Sequence, residues 1–185
     1  MKSIVSLLLL GLLSSVGLGA GESKAKKDRN TSITVKSSAF GPGAAIPEKF
    51  TGDGANVSPP LTWSGVPPGT KSLALICDDP DAPAGTWVHW VLYGLPATTS
   101  ELPQKVPAAE TLPSNAKQGM NDFKKTGYGG PEPPPGKPHR YYFKLYALDI
   151  EPPLKAGETK QDLLHAMKGH VLGEGQLMGT YQRKK

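Results

Sequence analysis

Prolines and glycines break the body of this chain into short pieces, with 19 Pro and 22 Gly among 185 residues. Proline fixes its backbone and donates no hydrogen bond, and glycine is costly inside regular structure, so both collect in turns. Short apolar runs between turns read as strands rather than helices. The candidates are 32–37, 61–63, 71–77, 86–93, 141–148 and 171–181, several of them rich in β-branched or aromatic residues. The run Trp87-Val88-His89-Trp90-Val91-Leu92-Tyr93 is apolar on both faces apart from His89, as in a strand buried on both sides. A mainly β, mostly antiparallel sandwich in a single domain is the expected fold. One helix is signalled: Thr159 caps, Asp162 follows three residues later, Leu163, Leu164 and Met167 form a stripe, and Gly169 stops it. The proline-rich stretch 97–138 shows little periodicity, and a loop of that length is usually functional or wraps the surface.

Met1-Lys2 followed by the apolar and small residues 4–20 reads as a secretory signal peptide, with a cut after Gly19, Ala20 or Gly21. The run is short for a membrane span, which takes about 20 apolar residues, so no stable membrane insertion is expected after cleavage. Residues 21–30 read as a polar linker, 31–182 as the folded domain and 183–185 as a basic tail, in an exported protein of the periplasm or the secreted space. Export invites disulfides, yet Cys77 is the sole cysteine and reads as a small buried hydrophobe. The formal charge of +5 resides in the termini, since residues 30–182 carry 13 Lys/Arg against 14 Asp/Glu. A body without net positive charge excludes a nucleic-acid surface and leaves the basic ends as solvated tails, with weak attraction to anionic lipid.

The chemistry concentrates in two segments. Asp78-Asp79-Pro80-Asp81-Ala82-Pro83 ends the apolar run Leu73-Ala74-Leu75-Ile76-Cys77, and carboxylates there must be solvated, paired or hydrogen-bonded. The segment is either an acidic surface turn or one wall of a pocket. His89 is the polar group of its strand, and an aspartate beside it would fix its tautomer and aim the other ring nitrogen into a site. The second segment runs from Gly127-Tyr128-Gly129-Gly130-Pro131 to His139-Arg140-Tyr141. Its glycines can present backbone N–H groups to an anion while its prolines stiffen it, although such composition also suits a polyproline II partner motif. His165 and His170 flank the helix end as favourable dipole contacts. The sequence holds no Gly-x-Ser-x-Gly elbow, phosphate loop, His-Glu-x-x-His or cysteine pair, and the histidines and aspartates match no metal signature. Neither a metal nor a cofactor is expected.

Taken in order, Ser58-Pro59-Pro60-Leu61-Thr62-Trp63, Asp79-Pro80-Asp81-Ala82-Pro83, Trp87-Val88-His89-Trp90, Gly127-Tyr128-Gly129-Gly130-Pro131 and His139-Arg140-Tyr141 resemble the phosphatidylethanolamine-binding protein family, most closely its bacterial Raf kinase inhibitor-like branch. The resemblance runs from about residue 33 to residue 181. It implies a β-sandwich with a few short helices and a small anion pocket. Its ligand-binding residues would be Asp79, Asp81, His89, Gly129, Gly130, Pro131, His139 and Tyr141, with none catalytic. It further implies a cis peptide between Ala82 and Pro83. The partner expected is a small anionic or zwitterionic ligand of phosphoethanolamine type, bound more tightly as pH falls and the histidines gain charge. A protein partner is a second reading, as in a protease or kinase inhibitor, with a homodimer through residues 97–125 as a further arrangement. Ester hydrolysis through His139 and Asp79 is a third, and it lacks a visible nucleophile.

Overall fold

The structure is a computed structural model that describes residues 31–183; the segments expected as signal peptide and linker, and the last two residues of the expected basic tail, lie outside these residues. Among the described residues nine strands form two sheets. Their ranges are β1 Thr31–Ser32, β2 Thr34–Lys36, β3 Leu61–Ser64, β4 Ser72–Asp79, β5 Trp87–Pro96, β6 Glu101–Leu102, β7 Lys117–Gln118, β8 His139–Leu148 and β9 Val171–Tyr181. The large sheet runs β1-β9-β8-β4-β5-β7 and the small one β2-β3-β6. Every pairing between these strands is antiparallel except β1 with β9. A single α-helix, α1 at Lys160–Met167, and a 3₁₀ turn at Glu48–Phe50 complete the described elements.

The core has two layers because β4 is buried along its whole length. On one side Leu73, Leu75 and Cys77 meet Trp90, Phe143 and Leu145, together with Leu61 and Trp63 of the small sheet. On the other side Ala74 and Ile76 meet Val91, Tyr93 and the helix residues Leu163 and Met167. Side chains alternate along a strand, so a continuous apolar run feeds both layers at once. The helix begins as expected, with Thr159 and Asp162 forming a reciprocal capping box. Leu164, counted in its apolar stripe, is instead 36% exposed. Eight residues make barely two turns, and only Leu163 and Met167 reach the sheet. No described helix is long and apolar enough to cross a membrane.

The loop 97–138 holds only the two-residue strands β6 and β7 and runs along the free edge of β5. Its path is fixed by Gln118, whose side chain accepts from Trp90 Nε1 at 2.7 Å and donates to the carbonyls of Pro107 and Ala109, both at 2.7 Å. A single buried amide therefore ties three parts of the loop to the core, which brings residues 123–134 over the ends of β4, β5 and β8.

Candidate functional site

Asp78 and Asp79 are adjacent, so β4 sends them to opposite sides of the sheet. Asp78, on the helix side, accepts from Lys144 Nζ at 2.8 Å and from Lys160 Nζ. Asp79, on the other side, accepts from His139 Nδ1 at 2.7 Å through Oδ2 and from the backbone N–H of Asp81 at 2.8 Å through Oδ1. Asp81 turns outward to Arg140, taking Nε at 2.8 Å, Nη2 at 2.7 Å and the backbone N–H at 2.9 Å. This fork of donors holds the Asp81 carboxyl at a pKa of about 2. The acidic turn thus divides into a clamp on the helix, an orienter of His139 and a surface ion pair. No peptide bond among the described residues is cis, so the Ala82–Pro83 bond is trans, contrary to the expectation. The Asp79 to Asp81 bond, the Arg140 fork and a hydrogen bond from Gly85 N–H to Ala82 O hold the turn without it.

His89 reaches the same place through a bulge in β5. Cys77 pairs with Trp90 and Asp78 with Val88, which leaves His89 as the extra residue between them. Simple alternation would place His89 with Val91 and Tyr93 on the helix side, whereas the bulge turns it to the Asp79 side. His89 is 2% exposed and its Nδ1 donates to the Gly129 carbonyl at 2.7 Å. Burial pushes its pKa down, with the Gly129 carbonyl opposing. In both histidines Nδ1 faces a group that can only accept, so Nδ1 carries the proton, and in the neutral rings Nε2 is a bare acceptor.

These groups line a cavity of about 190 Å³. Asp79, His89, Glu132, His139 and Tyr141 supply its polar groups, and Trp87, Phe123 and the turn and loop residues Ala82, Pro83, Pro133 and Pro134 complete the lining. Phe123 meets Trp87 and His89 edge-on, each with ring centroids 5.4 Å apart, and Tyr141 meets His89 at 5.1 Å. The Tyr141 hydroxyl is fully buried and lacks a hydrogen-bond partner in good geometry. Burial and the nearby Asp79 charge push its pKa up, so it stays a phenol. The lining contains no Lys and no Arg. A groove beside Ser32, Lys144 and Glu174 is larger, about 470 Å³, but the ammonium of Lys144 is already committed to Asp78.

The expected site is assembled in part. Asp79, His89, His139 and Tyr141 converge on the cavity, whereas Asp81 and the glycine-proline wall do not line it. The N–H of Gly129 donates to His89 O at 2.9 Å and that of Gly130 to Asn56 Oδ1 at 2.7 Å, so neither is left for an anion. A Cβ on Gly129 would lie 2.6 Å from the Phe123 ring, and one on Gly130 would lie 2.6 Å from Phe50 O. These glycines allow the loop to lie against its neighbours. Sequence reasoning missed Phe123, which sits in an aperiodic loop where pattern carries no information about facing; Glu132, Pro133 and Pro134 belong to the segment expected as a wall, though none was singled out as a site residue. Trp87 was findable, being two residues from His89 in a strand and on the same face; the bulge breaks the alternation only on the other side of His89, towards Trp90. Among the described residues no group of three or more His, Cys, Asp and Glu is placed to hold a metal. His170 Nδ1 contacts Asp149 at 2.8 Å, so its partner is a carboxylate on the sheet end rather than the helix dipole alone.

The geometry can be set beside known proteins. A UPF0098 protein of Methanothermobacter thermautotrophicus is 52% identical over 151 residues, covering 82% of this chain and 99% of that one. The crystal structure of CT736 from Chlamydia trachomatis, a putative phosphatidylethanolamine-binding protein homolog, is 40% identical with a TM-score of 0.74, covering 84% of this chain and 99% of that chain. Escherichia coli YbcL, described as a new member of the mammalian PEBP family, is 36% identical with a TM-score of 0.75 over 82% of this chain and 99% of that chain. The family model for phosphatidylethanolamine-binding protein matches residues 36–182, from β2 to the end of β9. With that span, those identities and the shared sandwich, the chain belongs to the phosphatidylethanolamine-binding protein family.

Proposed function

We propose that this is an exported, non-catalytic binding protein whose cavity takes a small phosphate-bearing or zwitterionic ligand of phosphoethanolamine type. The observation that carries the reading is the convergence of two oriented imidazoles and an unpartnered phenol on one headgroup-sized cavity. At about 190 Å³ it is below the ~300–1,000 Å³ common for drug-sized ligands. The phosphoryl group would meet the imidazole edges and the Tyr141 hydroxyl, while Asp79 suits an ammonium; the lining carboxylate Glu132 is already paired with Arg183 at 3.1 Å. One cavity then serves both ends of a zwitterion. The name of the family and the apolar run at residues 4–20 agree with this reading.

Turnover is disfavoured by the chemistry of the lining. The His139 and Asp79 pair could act as base and orienter, but Ser, Thr, Cys and Lys are missing from the lining and Tyr141 is held as a neutral phenol. Cys77 is buried in the core with its pKa pushed far up, which makes it a poor nucleophile. Titration calorimetry with phosphoethanolamine tests the reading directly. Saturable binding in the millimolar range or tighter is expected, lost in His139→Gln, which keeps a donor for Asp79 and therefore the fold. Absence of heat across that range, with the protein folded, would end the headgroup reading. N-terminal sequencing of protein recovered outside the cytoplasm, beginning between residues 20 and 22, tests export.

A further inference from the structure

We propose, resting on the binding reading above, that the cavity selects a phosphomonoester that still carries a proton, the free monoanion, over a phosphodiester of the lipid-headgroup kind. The deciding group is His89. Its Nδ1–H is committed to the Gly129 carbonyl, so a neutral ring offers the cavity only the Nε2 lone pair. The ring is 2% exposed and meets both Phe123 and Tyr141 in edge-to-face contacts, so no water-rich surroundings exist in which that nitrogen could stay solvated once a ligand fills the cavity. A ligand that supplies a P–OH satisfies Nε2; a diester has no such hydrogen and leaves it buried and unpaired. A site built to bond a hydroxyl rejects the analogue that lacks one far more strongly than an apolar pocket can reject an extra group.

The remaining groups are arranged for the bare oxygens of the same monoanion. The Tyr141 hydroxyl, buried and out of good hydrogen-bond geometry with the nearby Asp79 carboxylate, can donate to a ligand oxygen. His139, held through Nδ1 by the Asp79 carboxylate, turns its Nε2 edge to the same ligand. The charges facing His89 oppose a dianion. Asp79 comes from β4 and Glu132 from the loop over the site; Asp122 lies just behind, accepting from Val88 N–H at 2.7 Å. Arg140 is neutralised by Asp81 outside the cavity, and no lysine or arginine lines it. Glu132 is paired with Arg183 at 3.1 Å, so it is Asp79, with Asp122 behind it, that penalises each extra negative charge on the ligand. A monoester loses its second proton near pH 6, so the favoured species is abundant on the acidic side of neutrality and scarce well above it.

The test compares phosphoethanolamine with its O-methyl diester, which keeps the ammonium and removes the P–OH, by calorimetry at pH 5.5 and pH 8. At pH 5.5 the monoester binds at least about tenfold more tightly, the scale of one buried hydrogen bond, and the gap narrows at pH 8 as the monoester loses its proton. In His89→Phe the preference at pH 5.5 falls towards unity, because the ring no longer needs a donor. Equal affinities for the two ligands at pH 5.5, or a preference that persists unchanged at pH 8, overturns the selection while leaving the binding site standing. Absence of binding by either ligand in the millimolar range removes the binding reading itself.

Discussion

Asp78 and Asp79 are neighbours in sequence, equally buried at 1% and 3% exposure, and opposite in what they do. Asp78 faces the helix side and is saturated by the ammonium groups of Lys144 and Lys160, one from β8 and one from the first turn of α1. Asp79 faces the cavity, where a histidine and a single backbone N–H hold it. The first is a closed charge cluster with nothing left to offer. The second hands its orientation to a ring that still has a free edge. Burial alone does not distinguish structural from functional carboxylates; the partner does, because an ammonium ends the chain of interactions and an imidazole passes it on.

Substitution should separate the two. Asp78→Ala leaves two lysines facing a vacated buried site and is expected to cost about 3 kcal/mol, the lower end for a broken buried pair since both lysines partly reach water. Urea unfolding should register that loss while phosphoethanolamine affinity, measured on the folded fraction, stays within twofold. Asp79→Asn should do the reverse. An amide that still accepts from the Asp81 N–H turns its NH2 towards His139 Nδ1 and moves the ring proton to Nε2. The cavity then presents a donor where it had an acceptor, and the fall of phosphoethanolamine affinity between pH 6 and 8 should flatten. If both variants lose stability and binding in parallel, the contrast between the faces is false.

Two smaller effects sharpen it. His89 has a folded pKa below its unfolded value of about 6.5, so its neutral burial contributes stability that is full above that value. This contribution is lost as pH falls towards the folded pKa, because the unfolded chain takes up the proton first. The urea midpoint should therefore drop between pH 7 and 5, less so in His89→Gln, which retains a donor for Gly129. The least effect belongs to Arg140→Ala. The Asp81 carboxyl should rise from about 2 towards its ordinary 3.8, read by carboxyl-carbon NMR, with no change in ligand affinity. Asp81 contributes stability above pH 3.8 that is lost as pH falls through about 2, and the variant should shed it earlier.

The strands were legible because Pro and Gly mark their ends, and β9 matches its expected range of 171–181. The doubly buried character of β5 was equally plain, since Trp87 to Tyr93 offers no polar face apart from His89. β4 and β8 each extend two residues past the expected ends, to Asp79 and back to His139. Charged residues at strand ends look like turns in sequence, yet here each pairs across the sheet or into the cavity. His89 and His139 could be named as partners in one site, but not the route by which His89 gets there. A bulge is a disagreement between two strands about register, and one strand read alone does not contain it. The glycine wall misled for a related reason: whether a glycine exposes its N–H or makes room for a ring depends on what lies opposite, here Phe123 and Asn56.

Gly129 and His89 hold each other at both ends, the glycine amide donating to the histidine carbonyl while the glycine carbonyl takes the ring proton. Freeing that amide to solvent requires the loop to lift, and lifting the loop removes the acceptor that keeps the proton on Nδ1. The hydrogen-exchange rate of one backbone amide is thus a clock for the tautomer of one side chain, and a ligand that depends on that tautomer must slow the clock when it binds.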